Sequence, residues 1–343
     1  MTYKYRPWLM VFTYSLAHFL VDFACSFLFF SSIAGDKNLY MWILIYNFCA
    51  FALQMPIGLL ADIYNRNYIF AILGCLLVAT AYITSYQAFI ATLLLGIGNA
   101  FFHIGGGVDI LNISDKKSSA LGIFVSPGAL GLYFGKILGN SGSRGGYFLF
   151  LGLLLIAGAI YFSYQSQGKQ YPQNPRFSVE EPFPKAYLFA AISFFIVVCL
   201  RSYVGLAIDF PWKGSGSLGI LLVLAVVAGK AAGGIAADRF GLIRVSLISL
   251  IGSALLLLFP NIPALGIISL LLFNMTMPIT LWAMSKIFPA AKGLSFGLLT
   301  FGLFIGYLPK YFGWILATGP WLFSLLALTS LALLYQGISK VKL

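Results

Sequence analysis

Twelve runs of apolar residues, parted by polar hairpins of only a few residues, constrain this chain more than any other feature of its sequence. They cover Trp8–Ser31, Tyr40–Leu60, Tyr68–Ser85, Phe89–Leu111, Ala120–Gly139, Tyr147–Tyr164, Ala186–Ile208, Leu218–Ala236, Val245–Phe259, Pro263–Met284, Leu294–Phe312 and Pro320–Tyr335. The hydrocarbon core of a bilayer takes about 20 helical residues, and shorter runs are accommodated by local thinning. With 60% hydrophobic and 9% charged residues, the 343-residue chain carries more apolar surface than a water-soluble core can hide. The expected fold is therefore all-α: a polytopic membrane protein of twelve transmembrane helices. A net charge of +12 does not point to nucleic acid, because the basic residues are strewn singly instead of forming a patch.

The longest polar interval, residues 166–185, holds Pro172, Pro175, Pro182 and the pair Glu180–Glu181, and reads as a linker between a half at 1–165 and a half at 186–343. Most lysines and arginines outside the runs, including Lys4, Arg6, Arg66, Lys116, Lys117, Lys169, Arg239, Arg244 and Lys342, fall on one side; Lys37, Arg144 and Lys213 fall on the other. Basic loops stay in the cytoplasm, so both termini and the linker are expected there, in a cell (inner) membrane. The stretch MTYKYRP leads into a run too long for a signal peptide's core, so the first helix is expected to be kept. Cys25, Cys49, Cys75 and Cys199 lie inside apolar runs without metal-ligand spacing, which argues against a disulfide framework or a zinc site.

A motif occurs twice, about half the chain apart: GLLADIYNR at Gly58–Arg66 and GGIAADRFG at Gly233–Gly241. An aspartate at such a hairpin can accept helix-terminal N–H groups or hold a basic neighbour. Gly58, Leu60, Ala61, Asp62 and Arg66, echoed by Gly234, Ala237, Asp238, Arg239 and Gly241, resemble the G-x-L-A-D-R-x-G-R-R signature of the major facilitator superfamily. The resemblance implies two six-helix halves rocking about a midplane site. In the fifth run, GIFVSPGALGLYFG resembles the glycine–proline motif of that superfamily's antiporters at Gly122, Pro127 and Gly131. These motif residues are expected to gate.

Ionisable groups inside a bilayer are costly enough to be functional candidates by default. His18 and Asp22 lie four apart in the first run and share a helical face. Counted along the helix they sit about 15 Å and 21 Å from its start. His103 in the fourth run, with Asn99 on its face, falls at a depth similar to that of His18, whereas Asp109 points elsewhere. Arg201 lies mid-membrane in the seventh run, offset from Asp22 by nearly the repeat interval, and could face it across a cavity. Asn274, Thr276 and Thr280 in the tenth run offer further hydrogen bonds to a cargo. Each of these groups has a plainer competing role: His103 as a helix-to-helix bond, Arg201 as half of a structural salt bridge.

The H-x-x-x-D of the first run, Gly96, Gly98, Phe102 and His103 in the fourth, and Pro289, Gly293 and Gly297 near the eleventh look like the fosmidomycin-resistance family of efflux carriers. That resemblance implies proton-coupled export of a small organic compound. The expectation is thus a monomeric secondary transporter, not an enzyme and without cofactor, whose partners are the bilayer, protons and a small-molecule substrate. Asp22, His18 and His103 are the proton-coupling candidates; Arg201, Asn99, Asn274 and Thr280 are the candidates for binding the substrate, an anionic compound being the natural fit to an arginine. Symport uptake, or a receptor that kept the fold, are the alternatives. A metal site at His18, Asp22 and His103 is not expected, because nothing in the sequence supplies a second shell for such ligands.

Overall fold

The computed structural model of the chain describes residues 7–143, 145–178, 183–214, 217–314 and 319–341. Lys4, Arg6, Arg144, Lys342, Pro182 and the Glu180–Glu181 pair lie outside them. Among the described residues, ten helices are long and apolar enough to cross a membrane. In chain order, with two shorter apolar helices interleaved, they are α1 (Pro7–Ile33), α2 (Leu39–Tyr64), α3 (Asn67–Ile83, shorter), α4 (Ala88–Ile113), α5 (Ser119–Asn140), α6 (Gly146–Gln167), α7 (Lys185–Ala207), α8 (Leu218–Phe240), α9 (Leu242–Leu256, shorter), α10 (Pro263–Ile287), α11 (Lys292–Tyr311) and α12 (Pro320–Val341). Each apolar run of the sequence falls on one of them. The described residues contain no strand, as the absence of water to satisfy open sheet edges requires. All four cysteines are free.

The chain forms two compact units. The first comprises the residues through Ile113, Pro127–Phe177 and Ala290–Gly297; the second comprises Ser114–Ser126, Ser178–Pro289 and Leu298–Leu343. The units therefore divide α5 at Ser126–Pro127, where its helical hydrogen bonding is interrupted, and α11 after Gly297. A proline with no N–H at that point explains the break in α5.

In the first unit α5 lies unusually close to α1. A Cβ on Gly131, Gly135 or Gly139 would stand 2.3, 2.5 and 2.7 Å from the carbonyl oxygens of Phe19, Phe23 and Phe27, so this spacing admits only glycine. α3 and α4 meet as closely through Gly74, Gly98 and Gly105. This packing fixes α1 between α4 and α5 and determines what its polar face can touch. In the second unit, Gly229 and Gly233 of α8 press on the backbone of α10.

The repeated motif stops its helix in the same way both times. Asn65 after α2 and Gly241 after α8 have φ of 50° and 90°, and their N–H groups bond back to Ala61 and Ala237. Asparagine and glycine tolerate that left-handed turn best. The motif thereby sets Asp62 and Asp238 three residues before the residue that stops each helix.

Candidate functional site

Helical spacing puts Tyr14, His18 and Asp22 of α1 in one row, and α4, running antiparallel beside it, supplies the partners. Asp22 is buried, with His18 Nε2 3.3 Å from its Oδ2 and His103 Nε2 3.8 Å from its Oδ1. The two imidazoles meet each other, Nε2 to Nε2, at 2.9 Å, with their rings edge to face. Asn99 donates its amide to Asp22 Oδ1 at 2.9 Å. His103 Nδ1 lies 2.8 Å from the Asn99 carbonyl oxygen; since a carbonyl can only accept, Nδ1 carries a proton, and Nε2 is turned toward His18 and Asp22. Gly128 of α5 closes this cluster from behind, where a Cβ would stand 2.3 Å from His18 Nε2 and 2.4 Å from Asp22 Oδ2. The three candidates named from the sequence, with Asn99, are thus one hydrogen-bonded group, and its three side chains are also those that could hold a metal ion, their ligand atoms all within 4.8 Å of one another.

Farther along the seam between α1 and α4 lies a second buried carboxylate, Asp109. Tyr14 donates to its Oδ2 at 2.6 Å, Asn67 to its Oδ1 at 2.9 Å, and Tyr171, from the interval after α6, also donates to Oδ2. Burial, reinforced by the adjacent Asp109 carboxylate, pushes the Tyr171 phenol well above its ordinary range, so it remains a donor. The sequence did not single out Asp109, Tyr14, Asn67 or Tyr171 for a joint role. The one signal was Tyr14, a helical turn from His18 in the row that already held His18 and Asp22.

In the first unit, Asp62 accepts the N–H groups of Gly293 and Leu294, both at 2.8 Å, at the start of α11. Asn174 adds its side-chain amide at 2.9 Å. In the second unit, Asp238 accepts the N–H groups of Ser118 and Ser119 at 2.6 and 3.0 Å, and the Ser118 hydroxyl at 3.0 Å, at the start of α5. Each aspartate therefore satisfies the exposed N–H groups of a helix contributed by the other half of the sequence. Gly58 and Gly293 make the first approach feasible, a Cβ on Gly58 falling 2.1 Å from the Gly293 carbonyl oxygen. Gly234 and Gly122 serve similarly, against the carbonyl oxygens of Ser118 and Lys230. The motif arginines take no part in these bonds: Arg66 is exposed, and Arg239 lies over the Phe240 ring.

Arg201 is buried in the second unit at 8% exposure. Its Nη2 donates to the hydroxyls of Thr276 and Thr280 at 2.7 and 3.3 Å, and its Nε has no hydrogen-bond partner among the described residues. Asn274 does not join them; its amide bonds the Leu270 carbonyl of its own helix. Asp22 and Arg201 are thus each held by neighbours within their own unit.

The sequence profile of the Major Facilitator Superfamily matches residues 8–309. The chain belongs to that family, and is a multi-pass membrane transporter by family and fold. Among solved structures it is similar to the fucose:proton symporter FucP of E. coli, with 13% identity over 97% of this chain and 98% of that one and a TM-score of 0.66. It is also similar to the human organic anion transporter MFSD10 (TETRAN), with 16% identity over 96% and 100% and a TM-score of 0.69. A bacterial homologue of the iron transporter ferroportin in its outward-facing state gives 16% identity over 97% and 98% and a TM-score of 0.62. At these identities the likeness is one of fold. No protein of curated function matches the chain by sequence.

Proposed function

We propose that the chain is a proton-coupled secondary transporter of a small organic, anionic compound, working by alternating access and in the export direction. The observation that carries this reading is the buried hydrogen-bonded group of His18, Asp22 and His103. A lone carboxylate at that depth is costly when ionised, and two imidazoles beside it give it partners that can themselves take and release protons. Arg201 gives the second unit a buried guanidinium with an unmatched donor, a group suited to a carboxylate or phosphate cargo. The transport of an organic anion by one neighbour in fold and of protons with fucose by another lends support to both parts. Export rests on the resemblance to fosmidomycin-resistance carriers, and symport would use the same residues. In this reading all twelve helices cross a cell membrane as two halves, 1–165 and 186–343, joined by a cytoplasmic linker, with both termini cytoplasmic. Asp62 and Asp238, with Gly58, Gly234, Gly122, Pro127 and Gly131, gate by making and releasing helix-end contacts, and Arg66 and Arg239 act on the same gate through their charge without joining those bonds.

The test begins with a screen of organic anions for thermal stabilisation of the purified protein, since a ligand that binds only the folded state raises its melting temperature. The stabilising compound is then loaded into proteoliposomes carrying a pH-sensitive dye. Antiport predicts proton movement opposite to the cargo. Cargo exchange that moves no protons in either direction would refute the coupling.

A further inference from the structure

We propose that His18, Asp22 and His103 form a binding site for one divalent transition-metal ion. The inference rests on the reading of this group as the cation-coupling site and names a second cation that it takes. Two imidazole nitrogens and a carboxylate are a ligand set suited to zinc, cobalt or ferrous iron, and poorly suited to magnesium or calcium, which demand more oxygen atoms. An ion about 2.0–2.2 Å from each of three ligands holds them roughly 3–3.6 Å apart. The observed separations are 2.9 Å between the two nitrogens and 3.3 and 3.8 Å from each nitrogen to the carboxylate. The two nitrogen-to-carboxylate distances run to different oxygens, and with one ligand atom from each residue all three lie within 4.8 Å of one another, so closing on an ion takes shifts of about 1 Å.

Lone-pair direction supports the same conclusion. The His103 ring is oriented by its Nδ1–H bond to the Asn99 carbonyl, so Nε2 faces His18 and Asp22, and in the neutral ring it is the nitrogen left to take a metal ion. Asn99 also steadies the carboxylate through Oδ1. One residue thus orients two of the three ligands, the outer-shell arrangement that metal sites depend on and that the sequence did not reveal. Once the proton between the two imidazoles is released, both Nε2 atoms and the carboxylate are acceptors facing one another, and a metal ion among them would be held by the same atoms that the coupling proton would use. A bound metal ion consequently stops proton-coupled transport. Gly128 keeps a methyl group off two of the ligand atoms, while His103, with 13% of its side chain exposed, marks the side of entry.

Cobalt(II) titration of the purified detergent-solubilised protein tests the site without reference to cargo, because nitrogen- and oxygen-bound cobalt absorbs in the visible range. The expected result is one equivalent bound with a visible band, displaced by zinc. Asp22→Asn and His103→Gln should each weaken binding at least about tenfold. Gly128→Ala, which changes no ligand, should do so as well, and it serves if a ligand variant fails to fold. Asp62→Asn, away from the site, should keep the band. No visible band with excess cobalt, a band dominated by thiolate charge transfer, or a band unchanged in all three site variants would overturn the proposal. Proton flux driven by the cargo without cobalt binding would remove the metal site and leave the transport reading intact. Cobalt binding without any proton flux would do the reverse.

Discussion

Asp22 and Asp109 are both buried carboxylates on the seam between α1 and α4, yet they are held in opposite ways. The partners of Asp22 are two histidines and one amide; those of Asp109 are two tyrosines and one amide. Imidazoles change charge near neutral pH, whereas phenols buried against a carboxylate stay protonated and go on donating. Asp109 is fully enclosed, at 0% exposure, while Asp22 retains 6%. Burial alone therefore does not distinguish a working acid from a structural one. The capacity of its partners to exchange protons does.

The largest effect expected from this contrast is functional. Asp22→Asn should abolish gradient-driven accumulation of cargo while cargo exchange and folding persist, as measured by counterflow in proteoliposomes. The next is on stability. Asp109→Ala strands three buried donors at about 1–3 kcal/mol each, so it should destabilise by about 3 kcal/mol or more, read as a lowered melting temperature in detergent. The protein that remains folded should still couple. Tyr171→Phe removes one of those donors and should cost about 1 kcal/mol, with transport unchanged. If Tyr171→Phe instead matches Asp22→Asn in transport, the division between the two acids fails.

A smaller contrast separates the repeated aspartates. Asp62, 2% exposed, and Asp238, exposed, each accept two backbone N–H groups at a helix start. Losing such a cap costs about 0.5–2 kcal/mol, the upper end applying where water cannot replace the carboxylate. Asp62→Asn should therefore slow transport more than Asp238→Asn, with little change in ligand affinity for either. Equal loss of equilibrium binding and transport in the two variants would contradict a gating role.

Some of this site was legible in the sequence because helical period and rise are fixed. A spacing of four joined His18 to Asp22, and depth counting brought His103 and Asn99 to the same level. Thr276 and Thr280 stood out as polar residues in an apolar run, but that they meet Arg201 is visible only in the structure. Asp109 escaped because a spacing of six from His103 counts to a different side of an ideal helix, whereas the structure sets it against Tyr14 on the same seam; its partners Asn67 and Tyr171 come from segments whose register against α4 is a product of tertiary packing. The duplicated motif announced Asp62 and Asp238 but not their partners, since backbone amides at the start of a distant helix leave no mark in residue type. Arg66 and Arg239, whose residue type does leave a mark, make none of these bonds. Asn274 shows a limit of residue type as a signal: a polar residue in an apolar run can bond a carbonyl of its own helix.

The central claim is that Asp22, and not Asp109, exchanges the coupling proton. It is tested most directly by recording cargo-driven proton flux, with a pH-sensitive dye, in proteoliposomes of the parent protein, Asp22→Asn and Asp109→Asn at matched amounts of folded protein. Flux in the parent and in Asp109→Asn, and none in Asp22→Asn, is the predicted result. Flux that survives in Asp22→Asn and disappears in Asp109→Asn would contradict the claim and transfer the coupling role to the tyrosine-held acid.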